Sequence, residues 1–217
     1  IATNIERIYR RSFTANWYIY NIRTKHLAKL SDYGPQQSPV WSPDGNQIAF
    51  VRENNIFLIK LLYDNAESQV TKDGKRNEII NGVPDWVNEE EFALSTSLCF
   101  TADGSQICWI KYDESNVTTY DMQMYKGMKP EYVQYSEYPG AYSYKYPKAG
   151  THNAKVSAWS FDIKSKKAVQ LQVPVDADGY ICRLYPTEDP LKVLYITLNR
   201  HQDKMCVYAT NPRSTIA

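Results

Sequence analysis

Three consecutive glutamates, Glu89 to Glu91, form the densest cluster of charge in the sequence, within the segment DWVNEEEF at 85–92. Such a run is most often a solvated surface. Here Trp86 and Phe92 flank the cluster, and their burial would draw the carboxylates partly out of water, which is costly without a cation. That cation could be an arginine of this chain, a metal ion or the ammonium group of a ligand.

Arg10 and Arg11, in the segment IYRRSFTANW, are the candidate basic groups. A guanidinium carries five N–H donors in a rigid fork and has no acceptor. One of these arginines could therefore grip a carbonyl oxygen while the glutamates hold an amine. The other interpretation is that both arginines lie on an exposed strand edge.

Groups that would break a covalent bond are not apparent in the sequence. It contains no Gly-x-Ser-x-Gly motif, which marks the nucleophile of many hydrolases. His26, His152 and His201 lie in polar, turn-like segments without metal-ligand spacing, and we expect them to be exposed. We therefore expect no catalytic residue, no metal site and no cofactor in this chain.

The four cysteines are too few and too irregularly spaced for a zinc site or a disulfide framework. We expect mostly free thiols. Cys182 and Cys206 are the one pair left open as a disulfide, because both lie in strand-like segments of one candidate unit.

The composition excludes several classes of protein. With 25 basic and 24 acidic residues the formal net charge is +1, so no nucleic-acid partner is expected. No stretch approaches the roughly 20 apolar residues of a membrane span, so we expect no membrane contact by this segment. The 18 tyrosines favour strands. Because the chain opens on Ile1, we expect it to be a piece of a longer protein.

Local structure must position the glutamates. Asp85 is suited to cap a short helical turn that begins at Trp86. Consecutive side chains on a helix diverge by about 100° instead of pointing to opposite faces as in a strand. Two neighbouring glutamates could then converge on one point.

A repeat of strand, Asp-Gly turn and strand organises the rest of the chain. Asp44-Gly45 and Asp103-Gly104 supply hairpin turns between alternating apolar and polar flanks, and a weaker copy turns at 187–190. Recurring four-stranded units are typical of β-propeller blades. We predict an all-β fold with about three to four antiparallel blades of a larger ring. Residues 1–217 form part of a single propeller domain, with blade portions at roughly 1–31, 32–80, 81–173 and 174–217.

An insertion at 118–150 interrupts the third unit and is rich in tyrosine and proline. Its prolines argue against a central strand, and it is too aromatic for a disordered linker. It is interpreted either as an arm that covers something or as a long loop folded onto its own propeller.

The segments NGVPDWVNEEEF, YPKAG and YRRSFTANWYIYN, taken together, resemble the N-terminal β-propeller of the dipeptidyl peptidase IV family. The likeness covers essentially the whole chain and is strongest across 9–20, 38–60, 81–112 and 144–163. It implies an eight-bladed ring that caps a C-terminal α/β-hydrolase domain, and that domain is absent from this chain.

The resemblance implies a serine exopeptidase that releases Xaa-Pro or Xaa-Ala dipeptides from N-termini, with the propeller gating and recognising the substrate. Glu90 and Glu91 would hold the α-ammonium of the substrate, and Arg10 would contact a substrate carbonyl. Glu89 would be a bystander. Asn88 stands where the family has a tyrosine, and we expect this change to be tolerated. The fragment alone would be inactive.

The resemblance also implies a homodimer that forms through the Tyr-rich arm at 118–147, and a location on the periplasmic or extracellular side. Two other functions stay open. The propeller could be a non-catalytic protein-interaction module, or it could belong to a prolyl tripeptidyl peptidase.

Overall fold

The computed structural model describes residues 1–63, 65–125 and 137–215. Strands account for 49% of the structure and helix for 5%. All strand pairs in these ranges are antiparallel. The prediction of an all-β, partial propeller is confirmed.

The elements in chain order are β1 (Ala2–Arg7), β2 (Phe13–Asn21), β3 (His26–Lys29), β4 (Gln37–Trp41), β5 (Gln47–Arg52), β6 (Asn55–Lys60), β7 (Ala66–Gln69), β8 (Ile79–Asn81), α1 (Trp86–Phe92), β9 (Leu98–Phe100), β10 (Gln106–Asp113), β11 (Thr119–Met124), β12 (Gly140–Lys145), β13 (Lys155–Asp162), β14 (Lys167–Leu171), β15 (Tyr180–Pro186), β16 (Val193–Leu198) and β17 (Met205–Thr210). A 3₁₀ turn at Leu61–Tyr63 follows β6.

Four of the sheets follow one another along the chain. Their strand orders are β1-β2-β3, β4-β5-β6-β7, β14-β13-β10-β8 with β9 also paired to β10, and β15-β16-β17. The predicted boundary between residues 80 and 81 falls inside β8, which pairs with β10 of the third sheet. The assignment of complete blades stays a prediction.

Both predicted Asp-Gly turns are confirmed. Gly45 and Gly104 have φ of +71° and +66°, in the left-handed region that favours glycine. The Asp44 carboxylate accepts the Asn46 N–H at 3.1 Å, and Asp103 accepts the Ser105 N–H at the same distance. The same interaction, a hydrogen bond from a backbone N–H to the aspartate carboxylate two residues earlier, therefore stabilises both turns.

The core contains a small apolar cluster of Leu30, Ile48, Phe50 and Ile59, and a larger one that extends from the second sheet through the third to the fourth. Trp109 and Tyr112 of β10 and Tyr195 of β16 are among its largest fully buried side chains. The Trp109 indole N–H donates to Asn81 Oδ1 at 3.1 Å. β10 is therefore a buried central strand of the third sheet, paired with β8, β9 and β13.

The loop that carries α1 is anchored to this strand at both ends. Gly82 N donates to Ile110 O at 3.2 Å, and Ile110 N donates to Ser97 O at 2.9 Å. Ser97 N in turn donates to Gly82 O at 2.8 Å, which closes the neck of the loop. These three hydrogen bonds fix the base of the loop, so the position at which α1 leaves the sheet is set although the helix itself lies outside it.

Within the insertion, β11 and β12 pair only with each other and form a two-stranded ribbon. They take no place in a central sheet, as the prolines predicted. Residues 126–136 of the predicted arm lie outside the described residues.

The remaining sequence predictions have definite outcomes. His26, His152 and His201 are exposed, as predicted. All four cysteines are unpaired, with Cys182 on β15 and Cys206 on β17, strands that β16 separates. In the described part of the chain, no helix is long and apolar enough to cross a membrane.

Candidate functional site

Helix α1 begins where the sequence predicted. Asp85 is the N-cap, with extended backbone, and its carboxylate accepts the Asn88 backbone N–H at 2.9 Å. The Asn88 side-chain amide donates to the same oxygen at 2.7 Å. The helix ends at Ala93, which has a left-handed φ of +55°. One short helix therefore presents all three glutamates from a capped, buried start.

Arg10 and Glu90 form the central contact of the site. Arg10 Nε lies 2.8 Å from Glu90 Oε1 and 3.0 Å from Oε2. This hydrogen bond raises the pKa of Arg10 and lowers the pKa of Glu90. The pair is solvent-accessible, with the arginine side chain 69% exposed and the glutamate side chain 26% exposed.

This contact supplies one of the three cations that the sequence left open. Glu90 has a counterion, and it is an arginine of this chain. The binding of a ligand ammonium by Glu90 and Glu91 stays a prediction. A ligand ammonium would join a site that already contains one positive charge.

Glu89 is the most buried of the three glutamates, with 1% of the residue exposed. Its Oε1 accepts the backbone N–H of Arg11 at 2.6 Å and that of Ser12 at 2.9 Å. The Arg11 guanidinium donates back to the Glu89 carbonyl oxygen at 3.2 Å. The expectation that Glu89 is a bystander overlooked this structural role, because two backbone donors from a distant loop leave no trace in the local sequence.

Glu91 has a third environment. It is exposed, and it forms no hydrogen bond or ion pair with any residue that the structure describes. The structure therefore brings Arg10 and Glu90 together and leaves Glu91 open to solvent on the same helix.

The two predicted aromatic anchors are both half-buried. The ring centroid of Trp86 lies 4.4 Å from that of Tyr146, which follows β12 at the base of the ribbon. The ring of Phe92 packs edge-on against Tyr180 of β15 at 5.2 Å. The helix is thus held between the inserted ribbon and the fourth sheet.

Two buried acids lie behind the helix. Burial raises the pKa of Asp85, opposed by the hydrogen bonds from Asn88. Burial also raises the pKa of Glu114 to about 8, and the negative charge of Asp85 adds to this shift. Glu114 lines a cavity of about 530 Å³ together with Tyr9, Ser12 and other residues. Sequence reasoning gave no signal for Glu114, since only the fold buries it.

The charged groups of this site can bind polar groups of a ligand. Carboxylates can accept hydrogen bonds from an ammonium group, and a guanidinium can donate to a carbonyl oxygen. In the described part of the chain, no cluster of His, Cys, Asp or Glu has the arrangement of a metal site. The site is therefore suited to positioning a ligand with a charged amine.

Comparisons with known proteins show which family the chain belongs to. The "Probable dipeptidyl-aminopeptidase B" of Emericella nidulans is 34% identical over 226 residues, and the "Dipeptidyl-aminopeptidase B" of Aspergillus niger is 30% identical over 215 residues. These alignments cover 99% and 94% of this chain. The chain spans only 24% and 23% of the length of these relatives.

Among solved structures, dipeptidyl peptidase 4 of Porphyromonas gingivalis superposes with a TM-score of 0.91 at 39% identity, over 99% of this chain and 29% of that protein. A structure from Bacteroides ovatus, at 19% identity and a TM-score of 0.68 over 98% of this chain and 27% of that one, supports the fold alone. The family model described as "Dipeptidyl peptidase IV (DPP IV) N-terminal region" matches residues 1–217. The chain therefore belongs to the dipeptidyl peptidase IV family and represents its N-terminal region.

Proposed function

We propose that this region recognises the free N-terminus of peptide substrates for a serine-type dipeptidyl peptidase. The observation that carries the proposal is the Arg10–Glu90 contact on a helix that also offers the open carboxylate of Glu91. The relatives named as dipeptidyl peptidases support the reaction class. The substrate ammonium would bind Glu90 and Glu91, and Arg10 would bind the carbonyl oxygen of the first substrate residue.

The donors of Arg10 are suited to this double task. Arg10 uses its Nε toward Glu90, and its terminal amino groups make no hydrogen bond with any described residue. The same guanidinium can therefore keep its hold on Glu90 and present the remaining N–H groups to a carbonyl oxygen. An ammonium near Glu90 would then be neutralised by Glu91, whose charge has no partner among the described residues.

Such a site acts as a ruler. A nucleophile in a hydrolase domain does not measure how far a peptide bond lies from the end of a chain. Charge pairing with the terminal amine fixes that distance and holds the bond after the second residue at the nucleophile. This would account for the release of dipeptides. The preference for proline or alanine as the second residue is part of the proposal through the family resemblance and does not follow from this contact. The region would thereby also gate access to the catalytic domain.

The proposal is tested by replacing the glutamates in the full-length enzyme. Glu90→Gln and Glu91→Gln should each lower kcat/KM for an H-Ala-Pro reporter by about 10- to 150-fold, because a charge-assisted contact is worth about 1.5–3 kcal/mol. Hydrolysis of a small neutral ester, which needs only the nucleophile, should not change. Glu188→Gln, in an exposed turn, is the matched control. Wild-type kinetics in both glutamate variants would contradict the proposal, as would equal wild-type cleavage of free and N-acetylated reporters.

Two other functions share the same fold. A prolyl tripeptidyl peptidase would use the same amine recognition with a longer ruler, and comparison of Xaa-Pro and Xaa-Xaa-Pro reporters separates the two. A non-catalytic interaction module would lack hydrolysis of any reporter. The exposed carboxylate of Glu91 favours a site that binds a cationic ligand. Such a site fits either kind of peptidase better than it fits an interaction module that has no substrate.

The homodimer is part of the same proposal. The described part of the arm includes the paired strands β11 and β12. Tyr120 on β11 and Tyr138, two residues before β12, are exposed. Aromatic residues are enriched at protein interfaces. Replacing residues 121–143 of the full-length protein by a short turn should convert a dimer into a monomer in sedimentation.

The periplasmic or extracellular location is likewise proposed, and cell fractionation tests it.

A further inference from the structure

We infer that Glu89 and Arg11 form a reciprocal clamp that positions Arg10 opposite Glu90 for recognition of the substrate N-terminus. The inference rests on the proposed function and adds two positioning residues to it. Neither residue needs to touch the substrate. Each would act by fixing the main chain beside one member of the Arg10–Glu90 pair.

The first half of the clamp is the Glu89 side chain. One carboxylate oxygen accepts two consecutive backbone donors, those of Arg11 and Ser12, at 2.6 and 2.9 Å. Glu89 is 1% exposed and Ser12 is 4% exposed, so the hydrogen bond between them is shielded from water, while the one from Arg11 is partly buried. Charge-assisted hydrogen bonds of this kind are short and about twice as strong as neutral ones.

The second half runs in the opposite direction. The Arg11 guanidinium donates to the main-chain oxygen of Glu89 at 3.2 Å. The same nitrogen lies 3.9 Å from Glu90 Oε2. Arg11 therefore holds the helix backbone and adds positive charge beside the carboxylate that Arg10 contacts.

The clamp matters because the Arg10–Glu90 pair is exposed. An exposed ion pair contributes little by itself, since two long side chains must be ordered in high dielectric. Arg10 directly precedes Arg11, and Glu90 directly follows Glu89. Fixing Arg11 against Glu89 therefore brings the Cα atoms of the pair into register before the side chains meet. Such preorganisation is what a recognition site requires.

The geometry makes the length of the residue at position 89 critical. Aspartate is one methylene shorter, by about 1.5 Å, and cannot span to both backbone donors. Glutamine has the full reach, and its amide oxygen can still accept both N–H groups, although without charge. The second oxygen of Glu89 has no hydrogen-bond partner among the residues that the structure describes, so the amide NH₂ of glutamine would be buried unpaired there. The order expected for amine recognition is glutamate, then glutamine, then aspartate and alanine.

The test uses the full-length enzyme with Glu89→Gln, Glu89→Asp and Glu89→Ala. Glu89→Asp and Glu89→Ala should lower kcat/KM for an H-Ala-Pro reporter by about 10- to 100-fold, mainly through KM, as expected for a displaced binding group. Glu89→Gln should lose clearly less than Glu89→Asp. Hydrolysis of the neutral ester should stay at the wild-type rate in all three variants.

A double-mutant cycle with Arg10→Ala completes the test. If Glu89 acts through Arg10, Glu89→Asp should add little once Arg10 is gone. Additive losses, or a parallel fall in ester hydrolysis, would overturn the inference, because both indicate a general structural role. If Glu89→Ala does not fold, the comparison of Glu89→Gln with Glu89→Asp still decides. A failure of the proposed function is recognised separately, in the wild-type enzyme, by its indifference to N-acetylation of the reporter.

Discussion

Arg10 and Glu90 are 80 positions apart in the chain, and Arg10 Nε lies within 3.0 Å of both carboxylate oxygens of Glu90. One residue lies in the loop between β1 and β2, and the other lies on α1 above the third sheet. The contact thus joins two sheets at the candidate site. It also means that a substrate amine would bind to a preassembled pair of opposite charges.

Replacing Arg10 should distinguish the contribution of its positive charge from that of its forked guanidinium geometry. Arg10→Lys keeps a positive charge near Glu90 but loses the fork that serves a carboxylate and a carbonyl oxygen together. We expect kcat/KM for an H-Ala-Pro reporter to fall about 10-fold in Arg10→Lys and further in Arg10→Ala. Steady-state kinetics of the full-length enzyme measures this, with Arg23→Lys in an exposed turn as the control. Equal activity of Arg10→Lys and wild type would mean that charge alone suffices.

The pH dependence of kcat/KM should follow the substrate amine. Arg10 lowers the pKa of Glu90, so its carboxylate stays ionised below the usual glutamate value of about 4.3. The α-ammonium of a peptide loses its proton near pH 8, at about 7.7–8.0. Binding needs both charges, so kcat/KM should fall as pH rises through the pKa of the amine. Two reporters with different amine pKa values should show alkaline limbs that differ accordingly, and coincident limbs would assign the titration to the enzyme instead.

Much of this fold could be read from the sequence, because its signals are local. The turns at Gly45 and Gly104 need a positive φ that glycine adopts readily, and alternating flanks identify the strands around them. Asp85 revealed the start of α1 for the same reason, since a cap and its helix are adjacent in the chain. The insertion at 118–150 was visible as an interruption of the repeat.

The sequence could not reveal how the charges pair. The burial of Glu89 depends on backbone donors that lie more than 70 positions earlier, at Arg11 and Ser12. The pairing of Arg10 with Glu90 depends in the same way on how the first sheet meets the third. For this reason three glutamates that look equivalent in the sequence have three different environments.

Removing the cap of α1 should impair both stability and recognition. Asp85→Ala deletes the acceptor for the Asn88 backbone and side-chain N–H groups and should cost about 1–2 kcal/mol in the free energy of unfolding. Because α1 carries Glu90, KM for the amine-bearing reporter should rise as well. Asp85→Asn keeps a cap of similar quality and should be far milder. Thermal unfolding and KM are compared with Asp32→Ala, an exposed control. An unchanged KM in Asp85→Ala would show that the cap does not position the site.

Glu114 should make stability depend on pH. Its folded-state pKa, about 8, exceeds the unfolded value of about 4.3, so the folded protein retains a proton that the unfolded chain releases. Stability is therefore highest below the unfolded pKa and is lost as pH rises to about 8, by at most about 1.4 kcal/mol per pH unit. The charged or titratable groups that act on Glu114 are Asp85, Asp113, Lys145 and Tyr9.

Glu114→Gln removes this titration. The variant should gain melting temperature relative to wild type at pH 8.5 and gain much less at pH 5. Thermal unfolding of the full-length protein at both pH values measures the difference. An offset between variant and wild type that is the same at both pH values would show that Glu114 does not titrate in this range.

Gly82 should tolerate no side chain, because it fixes the neck of the loop that carries α1. Its φ is +79°, and an added Cβ would lie 3.0 Å from side-chain carbons of Ile56 and Leu98. Gly82→Ala should therefore cost about 1 kcal/mol for the left-handed backbone and a further 1–3 kcal/mol for overpacking. Gly45→Ala is the matched control, since its φ is +71° and no heavy atom lies within 4 Å of the added Cβ. Thermal unfolding of the two variants isolates the packing cost, and KM should rise only in Gly82→Ala, where the displaced neck moves α1. Equal losses of stability in the two variants would mean that the core yields around the new methyl group and that the neck does not hold the helix in place.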